Sequence, residues 1–225
     1  MVGLTGFGSA LISIPLATHF VPLKFALALF ALVDLCTAAS VGFENPKKAV
    51  RAEWQRLVPA ILIGTVVGAT LLVNLPRQAG FLLLGLFVVS YSIYALATRP
   101  GQRTIARGWA WLAGIGGGIT STVFGAGGPP YVIYLSQRGM TKEEFRATMG
   151  LTTLSSISLR VVAFFATGLL LDPEVWLTAL FAAPAGLLGV FVARKVYLRV
   201  SRDLLMRVIA VLLLVSGSSL IVRAF

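Results

Sequence analysis

One arginine lies in the middle of an apolar stretch that is long enough to cross a lipid bilayer. Arg160 is flanked by the uncharged runs 147–159 and 161–171. An arginine at the bilayer centre costs about 2.5 kcal/mol or more, so its side chain is expected to face the protein interior. Thr153 and Ser156 precede it by seven and four residues, on the same helix face. Its planar fork of N–H donors suits bidentate binding of a carboxylate or sulfonate.

A glycine cluster at 125–130, Gly-Ala-Gly-Gly-Pro-Pro, is the second feature that could bind an anion. Two consecutive prolines remove backbone donors and are expected to break the helix here. Unwound backbone at membrane depth is tolerated where it lines protein or a watery cavity. A half-helix that starts beside such a break presents N–H groups and a positive dipole end to an anion. Close helix packing is the alternative, and it is the role expected of Gly64 and Gly68.

Asp34 is the third feature, because it is an acid in the middle of the apolar run 24–43, with Thr37 on its face. An ion pair with Arg160, substrate handling and proton handling all remain open for it. The sequence therefore predicts an anion site with Asp34 as a coupling or ion-pair residue. The expected substrate-binding residues of the second half are Arg160, Gly125, Gly127, Gly128, Ser121, Thr122, Tyr131, Ser156 and Thr153.

The amino-acid composition indicates that these residues lie in a lipid bilayer rather than in water. Hydrophobic residues make up 57% of the 225 residues and charged residues 12%, against about 45–50% and about 25% in soluble domains. The runs 57–75, 79–97 and 175–193 contain no charge, and about 20 helical residues cross a bilayer. The formal charge of +11 comes from Lys and Arg in short connections, which is typical of cytoplasmic loops rather than of a nucleic-acid surface.

The chain is therefore predicted to be an all-α integral membrane protein, and residues 1–225 are expected to form a single multi-pass domain. Eight helical segments are expected, at about 3–20, 23–43, 57–75, 79–97, 108–138, 145–170, 174–193 and 203–222.

The two halves of the sequence are similar to each other. Segment 5–16 matches segment 124–135, so that Gly6 and Gly8 correspond to Gly125 and Gly127 and join the candidate substrate-binding residues. Duplicated halves are common in secondary transporters. Two repeats are expected, at about 3–97 and 108–223, with one inverted against the other. Each repeat is expected to contain a broken or re-entrant glycine-rich helix. Shared composition of glycine-rich helices is the alternative explanation.

Enzyme motifs are missing from the sequence. It contains no phosphate-cradling Gly-Lys-Ser/Thr loop, no HExxH and no GxSxG nucleophile turn. A secondary transporter of a small anion is the leading hypothesis. An intramembrane enzyme acting on a lipid headgroup, an anion channel and a non-transporting scaffold are the alternatives. The expected partners are a small anionic solute and the lipid bilayer, with no cofactor, no metal and no nucleic acid.

These features resemble the sulfite exporter TauE/SafE family, also named the toluene-sulfonate uptake permease family. The resemblance rests on the duplicated glycine motif, on Phe145-Arg146 at the start of the next helix, and on Arg160 before Thr167-Gly168. It covers essentially the whole chain. The resemblance implies a multi-pass permease of the bacterial inner membrane for small anions, typically sulfite or organosulfonates. The first motif departs from the family, because it reads Gly-Phe-Gly-Ser where many members have a run of glycines.

The first helical segment is expected to be incomplete. Members of the family usually carry a further apolar stretch before the first glycine motif, whereas Met1 stands directly before it here. The corresponding motif at Gly125 has an apolar lead that begins at Trp109. We therefore expect the natural chain to begin upstream of Met1, or its first element to be shortened.

Charge counting distinguishes two topologies. If all eight segments alternate across the membrane with 47–56 inside, 8 Lys and Arg residues lie inside and 10 outside. If 108–138 instead dips in and returns to the cytoplasmic side, 15 lie inside, 3 lie outside and Arg160 is in the membrane. The positive-inside bias of short loops favours the second topology, in which the second repeat is inverted against the first.

Cysteine labelling tests this topology. In a Cys36→Ser background, we expect Glu174→Cys to react with a membrane-impermeant thiol reagent from outside the cell and Lys142→Cys only from the cytoplasmic side. Glu174→Cys labelled only from the cytoplasm would show that the re-entrant topology is wrong.

Overall fold

The structure is a computed structural model that describes residues 9–43, 45–97 and 105–197, together with residues 215, 218 and 219. The described part is helical throughout, as the sequence predicted. Its elements are α1 (Ser9–Ala17), α2 (Leu23–Gly42), a 3₁₀ helix (Pro46–Lys48), α3 (Arg51–Asn74), α4 (Arg77–Ala97), α5 (Trp109–Phe124), α6 (Gly128–Ser136), α7 (Lys142–Ala166) and α8 (Pro173–Tyr197). The last predicted segment, 203–222, lies outside the described residues except for 215, 218 and 219.

Three of these helices are long and apolar enough to cross a bilayer: Leu23–Ser40 within α2, and the whole of α3 and α7. Large apolar side chains also remain exposed on the outer helix faces, among them Val66 on α3 and Phe181 on α8. In water such a surface would be unfavourable, whereas in a bilayer it faces lipid tails. The helices thus carry both the length and the surface of a membrane protein.

The predicted segment 108–138 is divided into two helices, α5 and α6, by residues 125–127. Gly125 has a φ of 69°, the left-handed conformation that glycine adopts without steric cost. Its N–H donates to the carbonyl of Ser121, and this bond closes the last turn of α5. Pro129 and Pro130 do not themselves break the helix, because they lie in the first turn of α6. The first N–H groups of a helix have no intrahelical partner, so prolines are tolerated there.

Glycines allow α3 and α5 to pack backbone against backbone. A Cβ atom added to Gly64 would lie 2.2 Å from the carbonyl oxygen of Ile115, and one added to Gly118 would lie 2.5 Å from that of Ile61. Both distances are far below van der Waals contact. The packing role predicted for Gly64 is confirmed, since small residues let helix backbones approach in this way.

Contacts between connecting segments define the two ends of the helix bundle. The Nη1 atom of Arg138 donates to the carbonyl of Ile105 at 2.7 Å, so the chain enters and leaves the α5–α6 element at the same end. Glu53, at the start of α3, pairs with Arg138 at this end too. At the opposite end, the Nζ atom of Lys24 donates to the carbonyl of Val73.

The end that holds residues 45–56, 105–108 and 137–146 is named the basic end below. Eight Lys and Arg residues are among these positions: Lys47, Lys48, Arg51, Arg56, Arg107, Arg138, Lys142 and Arg146. An exposed ion pair between Lys48 and Glu143, at 2.5 Å, joins two of the three segments.

Two glycines of one helix test the packing between α3 and α5. We expect Gly118→Ala to lower the free energy of unfolding by about 1–3 kcal/mol, the usual cost of overpacking, because the new methyl group meets the backbone of α3. Gly116→Ala is the matched control, since no atom lies within 4 Å of its added Cβ. Thermal unfolding in detergent measures both. Equal melting temperatures for the two variants would contradict the close approach.

Candidate functional site

The guanidinium of Arg160 is completely buried and pairs with an acid from another helix. Arg160 is 0% exposed and Asp34, on α2, is 6% exposed. The Nη2 atom of Arg160 donates to Oδ2 of Asp34 at 3.0 Å. A second nitrogen, Nη1, donates to the carbonyl of Ser121 at 3.0 Å. Arg160 therefore connects three helices, α2, α5 and its own α7, inside the bundle.

The carbonyl oxygen of Ser121 links the buried cation to the helix break. It accepts one hydrogen bond from the N–H of Gly125 at 2.9 Å and another from Nη1 of Arg160. The carbonyl end of a helix carries the negative end of its dipole and stabilises a nearby cation. The break thus contacts Arg160 through the end of α5. The amide of Gly125 is already used in this turn, so it is not a free donor for an anion.

The remaining nitrogen of Arg160, Nε, is buried and has no hydrogen-bond partner in the part of the chain that the structure describes. Nε and Nη2 lie along one edge of the guanidinium plane, and such an edge can donate to both oxygens of one oxyanion. Nη2 already donates to Asp34, whereas Nε has no partner among the described residues. A buried donor of a charged group that is left unsatisfied is costly. The edge is therefore suited to a ligand oxygen.

Tyr131 and Ser156 form a second buried contact one helical turn from Arg160. The hydroxyl groups of Tyr131, on α6, and Ser156, on α7, are 2.9 Å apart. The tyrosine ring lies between two glycines: a Cβ atom on Gly117 would be 2.0 Å from it, and one on Gly127 would be 3.2 Å from it. Thr153 lies on the same face of α7, and its buried hydroxyl has no partner.

The other candidate residues lie apart from these two contacts. Thr122 turns toward α3, where a Cβ atom on Gly68 would be 2.9 Å from it, and its hydroxyl donates to the carbonyl of Gly118. Gly128 is buried as the first residue of α6, where it can supply an amide N–H that Pro129 and Pro130 lack. Gly6 and Gly8 lie outside the described residues.

A buried cluster at the basic end, the Glu53 cluster, was missed in the sequence analysis. It consists of Glu53, Arg56, Tyr134 and Arg138. The Tyr134 hydroxyl donates to Oε2 of Glu53 at 2.5 Å. Oε1 of Glu53 accepts from Nη2 of Arg138 and from Nη1 of Arg56, each at 3.0 Å. The only sequence signal was an acid inside a basic stretch at a helix start, a pattern that usually marks a solvated surface.

No metal site accompanies these residues in the ranges that the structure describes, since no three His, Cys, Asp or Glu side chains come together there. The polar groups around Arg160 are the carboxylate of Asp34, neutral hydroxyl groups and a helix start, and the guanidinium and hydroxyl groups are donors that an anion can use.

Comparison with known proteins adds a family relationship. The sulfite exporter TauE/SafE family matches residues 1–220 of the chain. A probable inner membrane transporter protein TsaS from Comamonas testosteroni is 27% identical over 167 residues, which cover 73% of this chain and 69% of that protein. A probable sulfite/organosulfonate exporter TauE from Cupriavidus necator is 28% identical over 200 residues, which cover 85% and 77%. No solved structure matches significantly.

A double-mutant cycle tests the buried ion pair. We expect Asp34→Asn and Arg160→Gln each to lower the free energy of unfolding by about 3–5 kcal/mol, because each leaves an uncompensated buried charge. The double variant Asp34→Asn/Arg160→Gln removes both charges and should recover most of that loss. Thermal unfolding in detergent provides the measurement. If the double variant loses the sum of the two single effects, the two side chains are not coupled.

Proposed function

The chain belongs to the sulfite exporter TauE/SafE family, and from this we propose that it is a secondary transporter of a small oxyanion, namely sulfite, an organosulfonate or a similar carboxylate. Members of the family are membrane transporters and not enzymes. The site of this transporter is the Nε–Nη2 edge of Arg160, in the inner membrane of a bacterial cell. The Comamonas relative carries that location in its name.

The observation that carries the proposal is the buried guanidinium of Arg160. Among the described residues its Nη2 atom has a hydrogen-bond partner and its Nε atom has none. A tetrahedral or trigonal oxyanion places one oxygen on Nε and competes with Asp34 for Nη2. Two N–H donors in a fixed plane discriminate such an anion from a halide, because a single atom cannot take both bonds at ideal geometry. The neighbouring hydroxyl groups of Tyr131 and Ser156 provide neutral donors one turn away.

Charge balance assigns a second role to Asp34. The Arg160–Asp34 pair is neutral as a unit, and the arrival of one anion would leave a net negative charge in a low-dielectric interior. Such a charge is expensive unless it is compensated. Protonation of Asp34 when the anion displaces it restores neutrality. The transporter therefore moves its anion together with a proton.

Glycines of each half of the chain pack against a helix of the other half, which supports two repeats that meet around this site. In the predicted repeats Gly64 and Gly186 hold corresponding positions, as do Trp54 and Trp176. Gly64 of α3 packs on α5, and Gly186 of α8 packs on α2, where its added Cβ would be 2.9 Å from Val33. Each repeat thus contributes a glycine that faces a helix of the other. The return of the α5–α6 element to the basic end is consistent with a re-entrant helix pair, which the charge count favours and which would invert the second repeat against the first.

Transport by purified protein in proteoliposomes tests the proposal. We expect Arg160→Lys to slow sulfite or sulfonate flux at least about tenfold, because it keeps the charge but loses a charge-assisted bond worth about 1.5–3 kcal/mol. Arg160→Gln should abolish the flux. Arg107→Gln is the matched control, since it removes one exposed basic side chain at the bundle surface. Flux should increase when a proton gradient is imposed.

The double variant separates a binding role from a structural one. Asp34→Asn/Arg160→Gln should regain stability and yet fail to transport. Normal transport by this variant would mean that the anion site lies elsewhere. Flux that does not depend on the proton gradient would favour a channel.

A further inference from the structure

One face of α6 connects the surroundings of Arg160 with the basic end. Tyr131, Tyr134 and Arg138 follow each other at intervals of three and four residues, so they lie along one side of the helix and the turn after it. Tyr131 bonds to Ser156, one turn from Arg160 on α7. Tyr134 and Arg138 both bond to Glu53. Helix α6 is therefore bonded to its neighbours at two points: at Tyr131, near Arg160, and at Tyr134, near the basic end.

The charged groups of the Glu53 cluster are largely shielded from solvent and paired with each other, unlike the charges of a solvated surface. The side chain of Glu53 is 7% exposed, that of Arg138 is 13% exposed and that of Arg56 is 37% exposed. Glu53 is thus the most buried of the three charged groups, and both of its carboxylate oxygens are hydrogen-bonded. Arg138 also donates a hydrogen bond to the carbonyl of Ile105. Its guanidinium carbon lies over the ring of Tyr134, 5.8 Å from the ring centroid. These groups therefore lie along α6 between the basic end and the surroundings of Arg160.

We infer that Glu53 is a positioning residue that holds α6 against α3 and closes a gate at the basic end of the transport pathway. The inference rests on the proposed transport function, since a gate has meaning where access to a buried site alternates. Gly125, in the left-handed conformation, forms the hinge at one end of α6. The bond from Tyr134 to Glu53 forms the latch near the other end. Movement of this one short helix opens the pathway.

The charges of the cluster explain how an anion opens the latch. Two guanidinium groups, those of Arg56 and Arg138, face the single carboxylate of Glu53, so the cluster carries a net positive charge. An anion that arrives at the basic end is attracted to it and competes with Glu53 for Arg138. The same competition takes place at Arg160, where the acid is Asp34. In both pairs the acid is in the first half of the chain and the arginine is in the second half.

A cysteine reporter on α7 tests the latch. In a Cys36→Ser background, Thr153→Cys lies seven residues from Arg160 on the side of the basic end and is buried. Labelling by a membrane-impermeant maleimide is measured in vesicles of known orientation, with the reagent applied to one end at a time. The total label taken up in denaturant calibrates each sample, and only protein that is monodisperse in detergent is scored.

The expected result is directional. Glu53→Gln should speed labelling from the basic end about tenfold, the change in open population that loss of one charge-assisted hydrogen bond produces. Tyr134→Phe should give a smaller increase of the same direction. Labelling from the opposite end should stay unchanged. Glu143→Gln is the matched control: it breaks an ion pair with Lys48 at the same end, its acid is 71% exposed, and it should have no effect.

Two results would overturn the gate. Unchanged labelling in both folded variants would mean that Glu53 does not control access, and equal acceleration from both ends would mean that it only stabilises the fold. The assay needs no transport, so it is independent of the proposed function. Accelerated labelling together with normal flux in Asp34→Asn/Arg160→Gln would keep the gate and reject the site at Arg160.

Discussion

The structure depends on the compensation of one buried positive charge. Arg160 has no contact with solvent, and a guanidinium in the interior of a membrane protein is tolerated only with an opposite charge and polar partners nearby. Asp34 supplies the charge and Ser121 supplies a carbonyl. Since these groups come from α2 and α5, the charge on α7 draws three helices together. The left-handed turn at Gly125 shares that same carbonyl, so the position of the helix break and the position of the cation are fixed by one atom.

Glycine makes this convergence sterically possible. The cation can reach the end of α5 because α5 packs closely on α3 at Gly64 and Gly118, and because Tyr131 fits between Gly117 and Gly127. A side chain at these positions would separate the helices by an ångström or more and remove the hydrogen bonds that depend on their distance. The many glycines of the chain are therefore part of the electrostatic arrangement. They permit backbones to approach, and the approach in turn allows a charge to be buried.

Two largely buried ion pairs of the described residues join the first half of the chain to the second at different depths. Asp34–Arg160 lies inside the bundle and Glu53–Arg138 lies at the basic end. Membership of the TauE/SafE family gives these pairs a context, because a transporter must change the contacts between its parts while keeping every buried charge compensated. In the proposed mechanism, an anionic substrate replaces either carboxylate without leaving an arginine unpaired. The chemistry that stabilises the resting structure is thus also the chemistry that an anion can use to change it.

The sequence alone determined the environment of the protein, its helical fold and the identity of the buried cation. Apolar runs of this length have no stable alternative to helices in a bilayer, where every backbone group must find its partner within the segment. An arginine in such a run must also turn inward.

Only the tertiary structure decided which acid meets it, since Asp34 is 126 positions away and its role depends on how α2 crosses α7. The prolines identified the broken region, but the glycines before them make the turn. Glu53 resembled a surface residue in the sequence, because its burial is created by Tyr134 and Arg138, 81 and 85 positions away. Residue type and spacing are local properties, whereas the pairing of buried charges is decided by the packing that brings distant helices into contact.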